Sequence, residues 1–244
     1  MTKPVKVGVG IGVAGVVSAI LAAVTGGVAR VFWTWTAASC AVACAAYLLN
    51  RPAWLGKRDG RLSLQALALL PYVIAFRIAC AVMRAWRAAD GPTRVAPGLW
   101  VGGRIDGATL PPSVTTVVDL VAEYSAPRAI RDLPGYRSLP VLDGGYPPDT
   151  AVFLDLVREL IACEGDVLVH CDSGRGRAPT MAAALLVARG HAGDVDGAVA
   201  LIRARRPVAA PTRSDLVFLD SVSADLRAIA GGERAQLRRH DAMS

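Results

Sequence analysis

The chain has 244 residues, of which 53% are hydrophobic, and its mean hydropathy is +0.41. This excess of apolar residues over an ordinary soluble domain indicates membrane segments. The formal net charge is +7, but residues 1–97 hold eleven Lys and Arg against two Asp and Glu, whereas residues 98–244 hold sixteen against eighteen. Because the positive charge is confined to the apolar part, where basic residues flank membrane segments, it does not indicate a nucleic-acid partner.

Two long apolar segments open the chain. Val7–Ala29 contains 23 residues without a charge, and Val31–Leu49 contains another 19 after a single interruption at Arg30. Each is long enough to cross a hydrocarbon core of about 30 Å as a helix. Because so little separates them, we expect a hairpin of two transmembrane helices within residues 1–60.

A cleaved signal peptide is the alternative for the first segment. Lys3 and Lys6 precede the apolar run, and Gly27-Val28-Ala29 resembles a cleavage site. The run is longer than the apolar core of a typical signal peptide, however, and a second segment follows at once, which favours retained helices. The GxGxxG pattern at residues 10–15 lies inside this run with no acidic residue nearby. We therefore interpret it as a packing face between membrane helices and not as a dinucleotide site.

A third apolar stretch, Leu62–Met83, contains Gln65, Pro71 and Arg77. An amphipathic helix in the headgroup region and a kinked third span both match this composition. Basic residues precede the hairpin, follow it and follow the third stretch, which places all three positions on the cytoplasmic side. We therefore expect residues 61–90 to form an interfacial helix and a linker. The whole is then a multi-pass protein of the cell membrane with its C-terminal domain in the cytoplasm.

Beyond Ala89-Asp90-Gly91-Pro92 the pattern changes to short segments rich in Val and Leu that alternate with helical ones. The predicted strands are Gly98–Val101, Thr115–Val121, Tyr136–Leu142 and Val167–His170. The predicted helices are Thr150–Ala162, Pro179–Ala188, Val195–Arg205 and Ser214–Ile229. Interleaved strands and helices predict an α/β layered domain with a mainly parallel sheet over residues 91–230, followed by a polar tail over 231–244.

Residues 167–177, with the sequence VLVHCDSGRGR, predict a buried strand, a glycine-bearing loop and the start of a helix. Five residues between Cys171 and Arg177 allow the loop to curl so that successive backbone N–H groups point at one centre. Gly174 and Gly176 permit the backbone angles of such a curl, and the helix presents its positive end to the same point. Arg177 can grip two phosphate oxygens with its planar guanidinium. The segment therefore predicts a phosphate-binding loop.

The same positive field favours the thiolate form of Cys171 and makes it a nucleophile at neutral pH. Its attack on a bound phosphate ester would give a phosphocysteine intermediate. Cys171 and Arg177 are therefore candidate catalytic residues. The candidate phosphate-binding residues are those between them: Asp172, Ser173, Gly174, Arg175 and Gly176. The five cysteines include no CxxC pair and no metal-ligand spacing, so we expect neither a metal nor a cofactor.

The sequence HCDSGRGR resembles the HCxxGxxR signature of the protein tyrosine phosphatase superfamily, and residues 94–230 resemble its dual-specificity branch. The supporting segments are Gly98–Gly102, Val117–Leu120, Arg206-Pro207 and Phe218-Leu219. The resemblance implies a protein tyrosine phosphatase-like fold and hydrolysis of phosphate monoesters. It also implies a general acid, an Asp on a loop before the signature, which protonates the leaving oxygen.

Asp143 stands at the position of that acid, in the loop rich in Gly and Pro after the third predicted strand. Asp149 is the alternative, but it directly precedes a predicted helix and suits its N-cap. We therefore expect Asp143 to be the third catalytic residue. The chain departs from the family at Ala178, since Ser or Thr usually follows the arginine and helps the thiolate to leave. This departure implies that phosphocysteine accumulates, unless Thr180 or water compensates.

The resemblance leaves two substrate classes open. Membrane helices confine the site near headgroups, and Arg175 adds positive charge to the loop, as in family members that act on lipid phosphates. Asp172 opposes this, because lipid-directed members tend to carry a basic residue there. We therefore expect a phosphoprotein near the membrane as substrate, with a phosphoinositide or phosphatidylglycerophosphate as the alternative. A catalytically inactive phosphate-binding module and a rhodanese-like sulfurtransferase are disfavoured, because Cys171, Arg177 and Asp143 are all present.

Overall fold

The computed structural model describes residues 2–85 and 91–231. Part of the expected linker (86–90) and all but the first residue of the expected tail (232–244) lie outside the described residues. The helices are α1 (Lys3–Val24), α2 (Gly27–Leu48), α3 (Gln65–Ala68), α4 (Leu70–Ala85), α5 (Arg128–Arg131), α6 (Thr150–Ala162), α7 (Arg177–Ala188), α8 (Val195–Arg205), α9 (Arg213–Ser221) and α10 (223–231). The strands are β1 (Lys57–Arg58), β2 (Arg61–Leu62), β3 (Thr93–Ala96), β4 (Leu99–Gly102), β5 (Val114–Val121), β6 (Tyr136–Val141) and β7 (Asp166–His170).

Five strands form one sheet in the order β3-β4-β7-β5-β6. β4, β7, β5 and β6 run parallel, and β3 joins the edge in the antiparallel direction. The mainly parallel sheet expected from the sequence is therefore confirmed, and its four predicted strands differ by at most one residue at either end. Because parallel strands end at the same edge, the loops after β5, β6 and β7 meet there.

Helix α7 is the centre of the α/β domain, and all twelve of its residues are buried. It packs against β4, β7, α6, α8 and α9. A helix that is apolar on every face is stable only when it is enclosed in this way. Its enclosed position fixes the loop that precedes it.

α6 and α8 have their predicted bounds, and α7 begins two residues before its predicted start. The helix predicted over Ser214–Ile229 is instead two helices, α9 and α10, which separate at Val222. The backbone N–H of Val222 donates to the carbonyls of both Phe218 and Leu219, a bifurcated bond typical of a helix end.

α1 and α2 form the expected hairpin, but its turn lies at Thr25 and Gly26 and not at Arg30. Arg30 belongs to the first turn of α2, where its Nε donates to the carbonyl of Thr25 over 3.0 Å. Within residues 2–85 and 91–231, two helices are long and apolar enough to cross a membrane: α1 and α2, with 22 residues each.

Glycines on one face of α1 allow the two long helices to approach closely. A Cβ atom at Gly8, Gly12 or Gly15 would lie 3.1 Å from the side chains of Tyr47, Cys44 and Cys40, respectively. The glycine face expected between the helices is therefore confirmed for Gly12 and Gly15, and Gly8 extends it. Gly10 faces open space and takes no part.

The third apolar stretch forms α3 and α4, which pack against α2. Trp35 Nε1 donates to the carbonyl of Ala68 over 2.7 Å, and the backbone N–H of Tyr72 donates to Ser39 Oγ over 3.2 Å. The other face of α4 is exposed and apolar, with Leu70, Ile74, Ile78 and Val82 at four-residue spacing. α4 is therefore apolar both on the face that packs against the hairpin and on its exposed face.

A hydrophobic cluster joins these helices to the sheet. Its buried members are Ala43, Ala46, Tyr47, Leu55, Leu69, Tyr72, Val73, Ala122 and Leu142. Beside it, the buried Nζ of Lys57 lies 2.6 Å from Oδ2 of the buried Asp119 in β5. Through this ion pair, the segment after α2 is packed into the α/β unit. Loss of either partner would leave an uncompensated buried charge.

Candidate active site

The predicted phosphate-binding loop begins where β7 ends and closes where α7 begins. Cys171 follows β7 directly and is buried, and Arg177 is the first residue of α7. The backbone N–H of Gly174 donates to Cys171 Sγ over 3.2 Å. The loop therefore curls around its own thiol, at the positive end of a buried helix.

Gly174 is the glycine that the curl requires. Its φ is +65°, and a Cβ atom there would lie 2.5 Å from backbone atoms of Gly102 and Gly103. Gly176 has a φ of −112° and precedes α7 as its N-cap residue. A Cβ atom at Gly176 would meet only the carbonyl of Ala210, at 4.0 Å. The conformational freedom expected of both glycines is thus needed at Gly174 only.

Arg206 holds the outer side of the loop. Its buried Nε donates to the carbonyl of Gly174 over 3.0 Å. Its Nη1 donates to the carbonyl of Gly91 and to Thr93 Oγ1, each over 2.9 Å. Arg206 therefore ties the loop to the first residues of the α/β domain, and the sequence analysis gave it no such role.

Arg177 is almost fully buried, and its guanidinium is held by several oxygens. Nη1 donates to Glu123 Oε2 over 2.9 Å and to the carbonyl of Val141 over 2.6 Å. Nη2 lies 3.9 Å from Asp143 Oδ1. Burial opposes its charge, but the negative charges of Glu123, Asp143 and Cys171 outweigh burial and raise the pKa of this guanidinium well above its ordinary value. The loop therefore contains a permanent positive charge.

Asp143 lies in the loop after β6, and its side chain is about one-third exposed. Its backbone N–H donates to Glu123 Oε1 over 2.8 Å, and its Oδ1 accepts from Lys3 Nζ over 3.1 Å. Asp149 instead accepts two backbone N–H groups from the first turn of α6, which is the capping role expected of it. Asp143 is thus the carboxylate placed beside Arg177, and Asp149 is occupied as a cap.

Glu123 is a site residue that the sequence analysis missed. Its carboxylate is fully buried. Oε1 accepts from Tyr47 Oη over 2.9 Å and from the Asp143 N–H, while Oε2 accepts from Arg177. The available signal was its position: an acidic residue just after β5, whose end meets the same sheet edge as the loop.

The side chains of Asp172, Ser173 and Arg175 are half-buried in the loop. The hydroxyl of Tyr124 donates to Asp172 Oδ1, and the guanidinium of Arg104 lies 4.8 Å over the ring of Tyr124. A contact between a cation and an aromatic face of this kind stabilises both groups. Tyr124 therefore holds the Asp172 carboxylate beside the loop.

His170 lies beneath the loop, where it is buried. Its Nδ1 lies 3.4 Å from the carbonyl of Cys171, and its Nε2 lies 3.8 Å from Asp119 Oδ1. Burial lowers the pKa of His170, although Asp119 and the Cys171 carbonyl favour the charged form. His170 therefore contacts the backbone of the loop from beneath.

Ala178 is buried in the first turn of α7, where the family usually has a hydroxyl. The Thr180 hydroxyl, two residues on, is also buried and donates to the carbonyl of Gly176 over 3.0 Å. A serine or threonine bond of this kind to the preceding helical turn engages the hydroxyl locally. Thr180 is therefore poorly placed to replace the missing group.

Several solved structures resemble this chain. A variant of human DUSP28 is 25% identical over 57% of this chain and 98% of its own, with a TM-score of 0.48. DUSP15 is 24% identical over 58% of this chain and 96% of its own, with a TM-score of 0.48. PTPMT1, solved in complex with PI(5)P, is 19% identical over 58% of this chain and 99% of its own, with a TM-score of 0.47. No curated protein shows a significant match.

The family comparison is independent of these structures. Residues 109–215 match the family model described as PTP-SAK, a Swiss Army Knife protein with a DSP-PTPase phosphatase domain. The matched residues include the loop from Cys171 to Arg177, together with Glu123 and Asp143. Residues 109–215 of this chain therefore match a phosphatase domain of the dual-specificity type.

Proposed function

We propose that the domain hydrolyses phosphate monoesters through a covalent phosphocysteine at Cys171. The observation that carries the proposal is the position of Arg177 Nη2, 3.9 Å from Asp143 Oδ1, next to the loop that buries the Cys171 thiol. A phosphate bound by the loop would meet a nucleophile, a permanent positive charge and a proton donor together.

In the first step the Cys171 sulfur attacks phosphorus, an S–P bond forms, and the bond from phosphorus to the leaving oxygen breaks. Asp143 gives its proton to that oxygen, which leaves as an alcohol or a phenol. In the second step Asp143 takes a proton from water, and the water oxygen attacks phosphorus. The S–P bond then breaks, which releases inorganic phosphate and restores the thiolate. Arg177 and the loop N–H groups stabilise the phosphoryl oxygens in both steps.

The full chain should therefore release phosphate from an aryl phosphate, and Arg177→Ala should lower kcat/KM by a factor on the order of 10³. Arg158→Ala is a matched control, because it removes an arginine side chain that is about half exposed on α6 and pairs with Asp155. It should keep activity within about threefold, in line with the small effect of a surface substitution. Equal activity in the parent and Arg177→Ala would remove the basis of the proposal.

The substrate class that we propose is a phosphoprotein at the membrane surface. Asp172 places a carboxylate beside Cys171, and like charges brought together oppose binding of headgroups that carry several phosphates. A phosphorylated side chain presents one phosphate and is less affected. Arg104, stacked on Tyr124 beside the loop, supplies a positive charge for the peptide around it.

A lipid phosphate is the second candidate, and one contact favours it. Lys3 lies in the first turn of α1, and its Nζ lies 3.1 Å from Asp143 Oδ1. If α1 enters a membrane, the acid loop lies at the level of the lipid headgroups. Faster turnover of phosphopeptides than of phosphoinositide or phosphatidylglycerophosphate vesicles would support the first candidate, and turnover restricted to vesicles would support the second.

The membrane placement that we propose has α1 and α2 crossing the bilayer and the phosphatase domain in the cytoplasm. At a rise of 1.5 Å per residue, a helix of 22 residues is about 33 Å long, enough for a hydrocarbon core of about 30 Å. Lys3 and Lys6 flank one open end of the hairpin and Arg51 flanks the other, in accord with a cytoplasmic position of both ends. The exposed apolar face of α4 continues the surface of the hairpin, and we place it against lipid.

Sealed vesicles test this orientation. Protease added to inside-out vesicles should digest the phosphatase domain and leave a protected fragment that contains α1 and α2. Protease added to right-side-out vesicles should leave the domain intact. The reverse pattern would overturn the cytoplasmic assignment.

A further inference from the structure

We propose that Tyr47, in the last turn of α2, is a positioning residue of the phosphatase site. Its hydroxyl holds Glu123 in the place from which Glu123 fixes both Arg177 and the loop of Asp143. This proposal rests on the proposed function, because it assigns Tyr47 a part in the same reaction.

One carboxylate joins three parts of the molecule. Glu123 Oε1 accepts from Tyr47 Oη over 2.9 Å and from the backbone N–H of Asp143 over 2.8 Å. Glu123 Oε2 accepts from Arg177 Nη1 over 2.9 Å. The apolar hairpin, the acid loop and the phosphate-binding arginine are therefore linked through a single side chain.

The burial of Glu123 makes its carboxylate depend on these protein donors. Glu123 is fully buried, and Tyr47 is 2% exposed. A buried carboxylate must be satisfied by protein donors, and an oxygen that loses a donor turns towards those that remain. With Tyr47 and the Asp143 N–H on one oxygen, Arg177 is restricted to the other. That restriction sets which edge of the guanidinium is left for phosphate.

The position of the Tyr47 hydroxyl is set in turn by the hairpin. A Cβ atom on Gly8 of α1 would lie 3.1 Å from the Cβ of Tyr47, so the backbone of α1 packs directly on this side chain. Ala43 and Ala46 of α2 lie in the same buried cluster as Tyr47. Two hydrogen bonds, from Tyr47 to Glu123 and from Arg177 to Glu123, therefore link the packing of α1 on α2 to the position of Arg177.

The test compares Tyr47→Phe with Ser39→Ala in the full chain. Ser39 is a matched control, because it lies on α2, is buried, and uses its hydroxyl to accept from the Tyr72 N–H without contact to Glu123. Three quantities are measured: the dissociation constant of tungstate, a tetrahedral oxyanion for the loop; kcat and KM on an aryl phosphate; and the thermal unfolding temperature.

Tyr47→Phe should weaken tungstate binding and lower kcat/KM by about tenfold each, the size expected for one lost hydrogen bond to a charged group. Ser39→Ala should leave both within about twofold even where it lowers the unfolding temperature equally, since it leaves Glu123 untouched. Tungstate affinity unchanged in Tyr47→Phe, or lowered equally by Ser39→Ala, would overturn the proposal.

A double-mutant cycle separates a positioning role from simple packing. In a Glu123→Gln background, Tyr47→Phe should cause little further loss of tungstate affinity, because the two residues act through one contact. Independent, additive losses would contradict the proposal. A parent chain that binds tungstate but hydrolyses no phosphate ester would overturn the proposed function alone, since the affinities still report on Tyr47.

Discussion

Lys3 and Asp143 are 140 positions apart in the sequence, yet Lys3 Nζ lies 3.1 Å from Asp143 Oδ1. The contact is close along the whole lysine side chain, because a Cβ atom on the neighbouring Gly144 would lie 2.7 Å from Lys3 Cγ and Cδ. The first turn of the apolar hairpin therefore lies directly on the loop that carries the proposed general acid. Two further contacts join the N-terminal part of the chain to β5 and the residues just after it: Tyr47 with Glu123, and Lys57 with Asp119.

We expect Lys3→Met to change the pH dependence of turnover. An ammonium beside a carboxylate favours its ionised form, whereas the first step requires Asp143 in its protonated form. Loss of the ammonium should therefore move the alkaline limb of the kcat/KM profile to higher pH. Both side chains are partly exposed, so solvent screening limits the pair to less than about 1 kcal/mol and keeps the movement of the limb small.

The matched control for Lys3→Met is Lys6→Met, in the same first turns of α1. It removes the same charge from the same end of the hairpin but not from the Asp143 contact. An equal movement of the limb in both variants would assign the effect to the general surface charge.

The two loop carboxylates should differ sharply on substitution. Asp143→Asn should lower kcat by a factor of about 10² or more on an alkyl phosphate, where the leaving oxygen needs a proton, and by less on an aryl phosphate with an acidic phenol. Asp149→Asn should keep turnover, because an asparagine oxygen can still cap α6. Steady-state rates on the two ester types check this, and a loss in Asp149→Asn alone would exchange the two assignments.

Ala178 predicts slow breakdown of the phosphoenzyme. Rapid mixing of the parent with an aryl phosphate should give a burst of phenol that approaches one per active site, followed by a slower steady rate. Ala178→Ser restores a hydroxyl at the start of α7 and should raise the steady rate with a smaller burst. Thr180→Val tests the alternative, because a burst that grows in this variant would show that Thr180 assists despite its bond to Gly176.

His170 should make the folded state less stable as the pH falls from about 7 to 5. Burial lowers its pKa in the folded chain, whereas an unfolded histidine is protonated below about pH 6.5. Unfolding then takes up a proton in this window, so the free energy of unfolding falls with pH by at most about 1.4 kcal/mol per unit. Thermal unfolding between pH 7.5 and 5 should show a flatter profile for His170→Asn than for the parent.

The sheet and the phosphate-binding loop could be predicted because local patterns encode them. β5 and β7 are short segments rich in Val and Leu, and the spacing from Cys171 to Arg177 specifies a strand, a curl and a helix. β3 was missed because Thr93–Ala96 is a short edge strand with a charged residue, Arg94, inside it. The hairpin turn was misplaced because the charge of Arg30 marked a break, whereas Gly27, with a φ of +56°, helps to form it.

The residues that hold the site in place could not be predicted, because their contacts join positions that are far apart in the sequence. Glu123 and Arg177 are 54 positions apart, and Tyr47 and Glu123 are 76 apart. Periodicity and short motifs report on neighbours within a few residues, and they carry no information on such pairs. Lys57 is the clearest case, because a basic residue that follows two apolar helices predicts a membrane flank, yet it is buried against Asp119 in the central sheet.

The most direct test of the central claim is to trap the phosphoenzyme. The full chain is mixed with an aryl phosphate under reducing conditions, quenched in acid, digested and analysed by mass spectrometry, beside Cys171→Ser and the control Cys163→Ser. We predict one added phosphoryl group on the peptide with Cys171 in the parent and in Cys163→Ser, and neither a phosphopeptide nor phosphate release in Cys171→Ser. Phosphate release that continues in Cys171→Ser, or a phosphoryl group on another residue, would contradict the account.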